Sequence, residues 1–210
     1  MKGMMKDAAV LLVITLFSGL ILGLVYQITK EPIALAEEKA AREAYAEVFS
    51  EASDFEELEL TAAEDEFWSQ EWVDAGFEGV DIDNALAALD EKGSQTGYVL
   101  TVTSHQGYGG DITFTIGIGN DGTLYGISIL SISETAGLGM KAEAVLKPQF
   151  SNKNVSAFTY TKTGAVNESQ IDAISGATIT TDAVTTAVNG GLYYFQAQLG
   201  AVSYTHLRAH

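Results

Sequence analysis

No cysteine occurs among the 210 residues, which excludes disulfides, iron–sulfur clusters and thiolate zinc sites. Any redox chemistry must therefore run on another carrier. Basic residues are scarce as well: 11 Lys and Arg stand against 28 Asp and Glu, a formal net charge of -17. Such a chain repels a phosphate backbone, and no basic stripe with interleaved aromatics breaks the acidity, which argues against nucleic acid as a partner. Histidine is almost absent. Two of the three, His206 and His210, lie in a C-terminal run set aside below, and His105 sits beside a Gly-rich turn, where a surface residue is the ordinary reading. It is assigned no role.

What the chain does contain begins with an uncharged, apolar stretch from Ala8 to Ile28. At about 1.5 Å per residue such a stretch spans roughly 30 Å, the thickness of a bilayer core. A cleaved signal peptide is the rival reading, since Ala34-Leu35-Ala36 matches an A-x-A cleavage pattern, but the run exceeds the usual apolar region of about 7–15 residues. A transmembrane helix over 8–28 is expected, preceded by a short N-terminal segment over 1–7. Lys2 and Lys6 on one side face Lys30, Lys39 and Arg42 on the other, so charge alone does not decide the orientation. After Pro32 the run from Ile33 to Phe49 is rich in Ala, Glu, Lys and Arg and predicts a helical stalk over 29–50.

The remainder, 51–201, is long enough for one sizeable domain. Its first part, Glu51 to Glu91, is strongly acidic and reads as a solvated face, with Phe55, Trp68, Trp72 and Phe77 as core anchors. Asp81, Asp83 and Asn84 do not make a calcium loop, because Ala85 and Leu86 stand where an oxygen ligand and then glycine are needed. From Tyr98 the period changes. Tyr98–Thr103, Ile112–Ile118 and Leu124–Ile132 are rich in β-branched and aromatic residues, with Asn120-Asp121-Gly122 as a hairpin signal. Phe158–Thr161 predicts another strand, and Lys141–Leu146 and Thr180–Gln198 predict helices. The fold class is α+β, with an antiparallel sheet and flanking helices.

Two Gly-rich stretches interrupt this regular structure where a ligand could approach the backbone. The first is Ser133-Glu134-Thr135-Ala136-Gly137-Leu138-Gly139, after a predicted strand; its glycines permit positive φ and close approach of a flat ring. The second is Ser175-Gly176-Ala177-Thr178, just before the last predicted helix. A hydroxyl there lies near the positive end of a helix dipole, where free N–H groups favour a phosphate ester. Ser, Thr and Asp also cap helices, and a cap is the ordinary reading of those four residues alone. Other chemistries fit less well. Gly117-Ile118-Gly119 is followed by a turn and a strand, not the helix a dinucleotide site needs, and Ser175 lacks both a base and the G-x-S-x-G elbow.

Asp172-Ala173-Ile174-Ser175-Gly176-Ala177-Thr178 resembles the flavinylation motif of FMN-binding domains in bacterial redox-driven pumps, and Glu134-Thr135-Ala136-Gly137-Leu138-Gly139 resembles their E-T-P-G-L-G loop. Gly107-Tyr108-Gly109-Gly110 is similar to a third element of the family. Within it the chain looks most like the G subunit of Rnf-type complexes, which couple ferredoxin:NAD oxidoreduction to Na⁺ or H⁺ translocation. The resemblance implies FMN joined to Thr178 by a phosphoester bond, made from FAD by an ApbE-type flavin transferase. It implies that Asp172, Ser175, Gly176 and Ala177 complete the recognition motif, and that Glu134, Thr135, Gly137, Leu138 and Gly139 line the flavin. Ala136 replaces the family's proline and removes no side-chain ligand.

The resemblance further implies a single-pass protein of the cytoplasmic membrane, with 1–7 as a cytoplasmic N-terminus and its flavin domain over 51–201 on the extracytoplasmic side. Its partners would be the other membrane subunits, and it would act as a non-autonomous part of a translocase, with no catalytic or metal-ligating residue of its own. The C subunit of the Na⁺-translocating NADH:quinone reductase carries the same motifs, a freestanding extracytoplasmic flavoprotein would need them too, and a non-redox binding module would use them only as a cap. The last nine residues, Val202–His210, resemble the translation of a transposon-type sequencing adapter, which implies that they carry no selected function.

Overall fold

A computed structural model describes residues 2–60 and 66–200; the side chain of Trp68 and the run 202–210 lie outside that description. The chain divides after Arg42 into two units. One long helix, α1 (Lys2–Val48), starts in the first unit and ends in the second, with Pro32 inside it. The helix therefore does not restart after Pro32. Its apolar side chains from Val10 to Ile28 are exposed, and α1 is long and apolar enough to cross a membrane. The hydroxyls of Thr15 and Thr29 within or beside the apolar run donate to the carbonyls of Leu11 and Val25, at 3.0 and 2.9 Å. That back-bonding removes the cost of carrying an unpaired hydroxyl into hydrocarbon.

The second unit is built on a five-stranded antiparallel meander: β1 (Asp54–Glu57), β2 (Val80–Leu89), β3 (Gln95–Ser104), β4 (Ile112–Gly119) and β5 (Leu124–Ile132), in that spatial order. The β4–β5 hairpin turns where Asn120-Asp121-Gly122 predicts, with Gly122 at φ 83. A short helix, α2 (Glu66–Asp74), precedes β2. After β5 come the brief α3 (Ala142–Val145) between two 3-10 turns, the parallel pair β6 (Thr159–Thr161) and β7 (Gln170–Asp172), and α4 (Thr178–Tyr194), which passes into a π-turn over Phe195–Leu199.

The segment Glu51 to Glu91 departs from expectation. It supplies two strands of the sheet, and Ala85, Leu86, Ala87 and Ala88 on β2 are buried. Its carboxylates hid the strand, because alanine has low strand preference and a bulge between Ile82 and Asn84 breaks the alternation. Of the expected anchors, Trp72 donates its Nε1–H to the Val80 carbonyl at 2.8 Å and packs on Phe77, and Phe55 packs on Tyr45.

The sheet buries a different set on each face. Leu100, Val102, Phe114, Ile116 and Ile127 meet Ala183, Val184, Ala187, Val188 and Leu192 of α4. Each fully buried aliphatic side chain contributes about 1.5–3 kcal/mol. Gly191 lets α4 come this close, since a Cβ there would collide with the end of the Ile116 side chain. On the other face Val48 and Phe49, at the end of α1, pack with Leu86, Ala88 and Val99. Gly117 on β4 makes room for that last turn, because a Cβ would strike the Val48 carbonyl. Glu47 is fixed beside it by Lys147 Nζ at 2.7 Å and by the Ser128 hydroxyl.

Candidate functional site

A cleft of about 510 Å³ opens between the loop after β5 and the start of α4. Its volume falls in the usual range for small-molecule sites, about 300–1,000 Å³. Glu134, Thr135, Leu138 and Gly139 line it from the first loop, and Gly176, Ala177 and Thr178 from the second. Two stretches far apart in the chain thus form one site. Tyr108, Ile179 and Thr180 complete the lining and were not among the predicted site residues. Tyr108 was legible in the Gly-rich run around it; Ile179 and Thr180 follow only from where the helix starts.

The second loop is shaped by its turn. β7 leads out through Ile174, whose carbonyl accepts the Ala177 N–H at 3.0 Å, and Gly176 in between has φ 80. The Thr181 hydroxyl donates to the Ala177 carbonyl at 2.9 Å and accepts the Ile174 N–H at 3.1 Å, which ties the turn to the helix it feeds. Helix α4 begins at Thr178, two residues before the predicted start, with Ala177 as its N-cap and no side-chain capping bond. The first intrahelical acceptor serves Thr181, so the amides of Thr178, Ile179 and Thr180 have no partner within the helix. Thr178 is half-buried, and its hydroxyl makes no hydrogen bond among the described residues. It is not a cap. A free hydroxyl, unpaired amides and the positive end of a 17-residue helix converge on one point, an arrangement suited to an esterified phosphate.

The first loop is held from below. Glu134 Oε1 accepts the Gly109 N–H at 3.2 Å. Gly139 is buried, and a Cβ there would fall 2.6 Å from Thr180 Oγ1 and 2.7 Å from Glu134 Oε2. The two loops also meet directly, since a Cβ on Gly176 would lie 3.1 Å from Leu138 Cδ2. Tyr108, Leu138 and Ile179 present exposed apolar surface at the cleft, which fits a flat aromatic ring.

Three of the predicted residues stand apart from the cleft lining. Gly137 takes φ 77 with open space where a Cβ would be, so it shapes the loop. Ser175 is exposed on the turn. Asp172 is a brace: its carboxylate accepts the Ala165 N–H at 2.7 Å, and its backbone exchanges two hydrogen bonds with the Gln149 amide, at 2.7 and 3.1 Å.

Residues 107–193 match the family described as FMN-binding domain, a span that holds every residue of the cleft. The G subunit of the Na⁺-translocating ferredoxin:NAD⁺ oxidoreductase complex of Acetobacterium woodii is 36% identical over 107 residues, covering 50% of this chain and 52% of the relative. The G subunit of the proton-translocating ferredoxin:NAD⁺ oxidoreductase complex of Clostridium ljungdahlii is 37% identical over 99 residues, 47% of this chain and 53% of the relative. The chain thus matches about half the length of these two relatives. The G subunit of the ion-translocating oxidoreductase complex of Methanosarcina acetivorans aligns over 95% of this chain and 98% of its own length, at 28% identity. Among solved structures, the crystal structure of Shewanella oneidensis NqrC is similar over 54% of this chain and 57% of that one, at 20% identity and a TM-score of 0.44. The similarity to the FMN-binding domain family thus lies over 107–193, the part of the chain that forms the cleft.

Proposed function

We propose that this chain is a membrane-anchored electron-transfer subunit that carries FMN covalently on Thr178, in an Rnf-type complex that couples ferredoxin:NAD oxidoreduction to Na⁺ or H⁺ translocation. The observation that carries this reading is the unpartnered Thr178 hydroxyl at the first turn of α4, on the cleft and within a segment that matches the FMN-binding domain. The relatives' names supply the complex. Flavin, when bound, supplies one-electron chemistry, and the protein tethers, orients and tunes it.

Attachment needs a separate flavin transferase of the ApbE type. Thr178 Oγ would take the FMN phosphoryl group of FAD as the phosphoanhydride breaks and AMP leaves, and its hydroxyl proton would pass to a base of the transferase. The amides at the start of α4 would hold the resulting phosphodiester. Tyr108, Leu138 and Ile179 would shelter the ring, and Glu134 would fix the loop beside it through Gly109. Helix α1 would be the anchor, with the domain on the extracytoplasmic side, where a dissociating cofactor would be lost.

The test is co-expression of the full chain with its flavin transferase, followed by denaturing electrophoresis of the membrane fraction. A fluorescent flavin band at the mass of the chain is expected, absent in Thr178→Ala. A band of equal strength in that variant would place the attachment elsewhere, and no band in either protein would remove the covalent reading. Recovery of the remaining members of the complex with the anchored chain supports the complex; recovery of the chain alone from a native membrane opposes it.

A further inference from the structure

His105, which the composition left without a task, is the first residue beyond β3, and Asp111 is the last before β4. Between them runs the loop that carries Tyr108 and Gly109. Nδ1 of His105 lies 2.9 Å from Asp111 Oδ1, and Nε2 lies 3.0 Å from Asp81 Oδ2 on β2. A neutral imidazole has one N–H and one lone pair, so it can donate to only one of these carboxylates; holding both requires the imidazolium. Hydrogen bonds to Asp111 and then Asp81 raise the His105 pKa to about 9. Asp83, also on β2, completes the charged surroundings, with its own carboxyl pushed up by burial and by Asp81.

The backbone adds to this junction. The His105 N–H donates to the Gly79 carbonyl at 2.8 Å, and Gln106 Nε2 donates to the Glu78 carbonyl at 2.6 Å. The base of the loop is thus pinned to the turn before β2. At its tip, Gly109 donates to Glu134; a Cβ on Gly109 would strike the Ser133 carbonyl, and one on Gly107 would strike the Gly110 carbonyl and approach Glu134 Oε1. Tyr108 stands between them and lines the cleft together with Thr178.

We propose that His105, as an imidazolium clamping Asp111 to Asp81, is a positioning residue of the flavin site: it closes the base of the loop that sets Tyr108 and the Gly109–Glu134 hydrogen bond on the cleft. The clamp stands on its own geometry, and its bearing on flavin rests on the function proposed above. Deprotonation leaves one donor for two carboxylates, so one charge-assisted bond is lost and the loop loosens as pH rises through the His105 titration.

The experiment uses the full chain as wild type, His105→Gln and Asp111→Asn, each with and without flavin. In the unflavinylated proteins, amide hydrogen exchange is followed at 107–110; in the flavinylated ones, visible circular dichroism of the flavin is followed across the pH range spanning about 9. Exchange about tenfold faster in His105→Gln is expected. The wild-type flavin signal should carry a transition, beyond the ring's own N3 ionisation, that His105→Gln lacks. Asp111→Asn, which keeps the Asp81 contact, should move that transition to lower pH. Equal exchange in wild type and His105→Gln overturns the clamp, as does a flavin titration indifferent to both substitutions. If His105→Gln does not fold, the Asp111→Asn transition decides alone, and an unmoved transition overturns the proposal. If no variant takes up flavin, the flavin reading fails and the exchange comparison still decides the clamp.

Discussion

Thr178 has a hydroxyl that supports nothing else in the described fold, so its removal separates chemistry from stability. Thr178→Ala should abolish flavinylation while changing unfolding free energy by no more than about 0.5 kcal/mol, as read by urea denaturation of the unmodified chain. Gly176 is the opposite case. Its φ of 80 and the nearby Leu138 side chain make Gly176→Ala costly by about 1–2 kcal/mol, and the same denaturation series should show it. At this scale the sequence was legible where chemistry demands particular residue types: Glu134, Thr135, Leu138, Gly139, Gly176, Ala177 and Thr178 all line one cleft. Ile179 and Thr180 were not legible, because a helix-start position carries no residue-type signal once the cap is an alanine. Gly137, Ser175 and Asp172 are motif residues whose visible work is to shape the turn and brace the loops.

Among the elements, those with a clean period were readable and those without were not. β3, β4 and β5 alternate or run as β-branched stretches, and their bounds fall within a few residues of expectation. β2 does not: its apolar centre is alanine-rich and a bulge shifts its register, so the carboxylates around it dominated the reading. The end of α1 was expected only as a stalk, yet its last turn packs on the sheet. That contact depends on the missing side chain at Gly117. Gly117→Ala should force the Val48 carbonyl off β4 and destabilise the domain by about 1–3 kcal/mol, with the loss visible as a lower denaturation midpoint. A substitution of similar size at Gly164, where no atom stands near the Cβ position but φ is 100, should cost only the backbone strain.

For the whole molecule, acidity makes stability depend on pH from two sides. Glu47 has its carboxyl held below the ordinary 4.5 by hydrogen bonds from Lys147 and Ser128, against some burial. A lowered folded value means that its contribution is present above the unfolded value and is lost as pH falls through the folded one. His105 works in the reverse sense: raised from 6.5 to about 9, it stabilises fully below the unfolded value, and that contribution disappears as pH rises through about 9. Thermal unfolding midpoints across pH should therefore fall at both ends, with His105→Gln flattening only the alkaline side. A complete absence of cysteine leaves the molecule without a thiol-based redox group, which concentrates the functional question on one residue. The direct measurement is intact-mass and peptide-mapping mass spectrometry of the full chain co-expressed with an ApbE-type flavin transferase. An increment of one FMN minus water on the peptide that contains Thr178, missing in Thr178→Ala, is predicted; an unmodified chain, or the same increment retained in Thr178→Ala, contradicts the account.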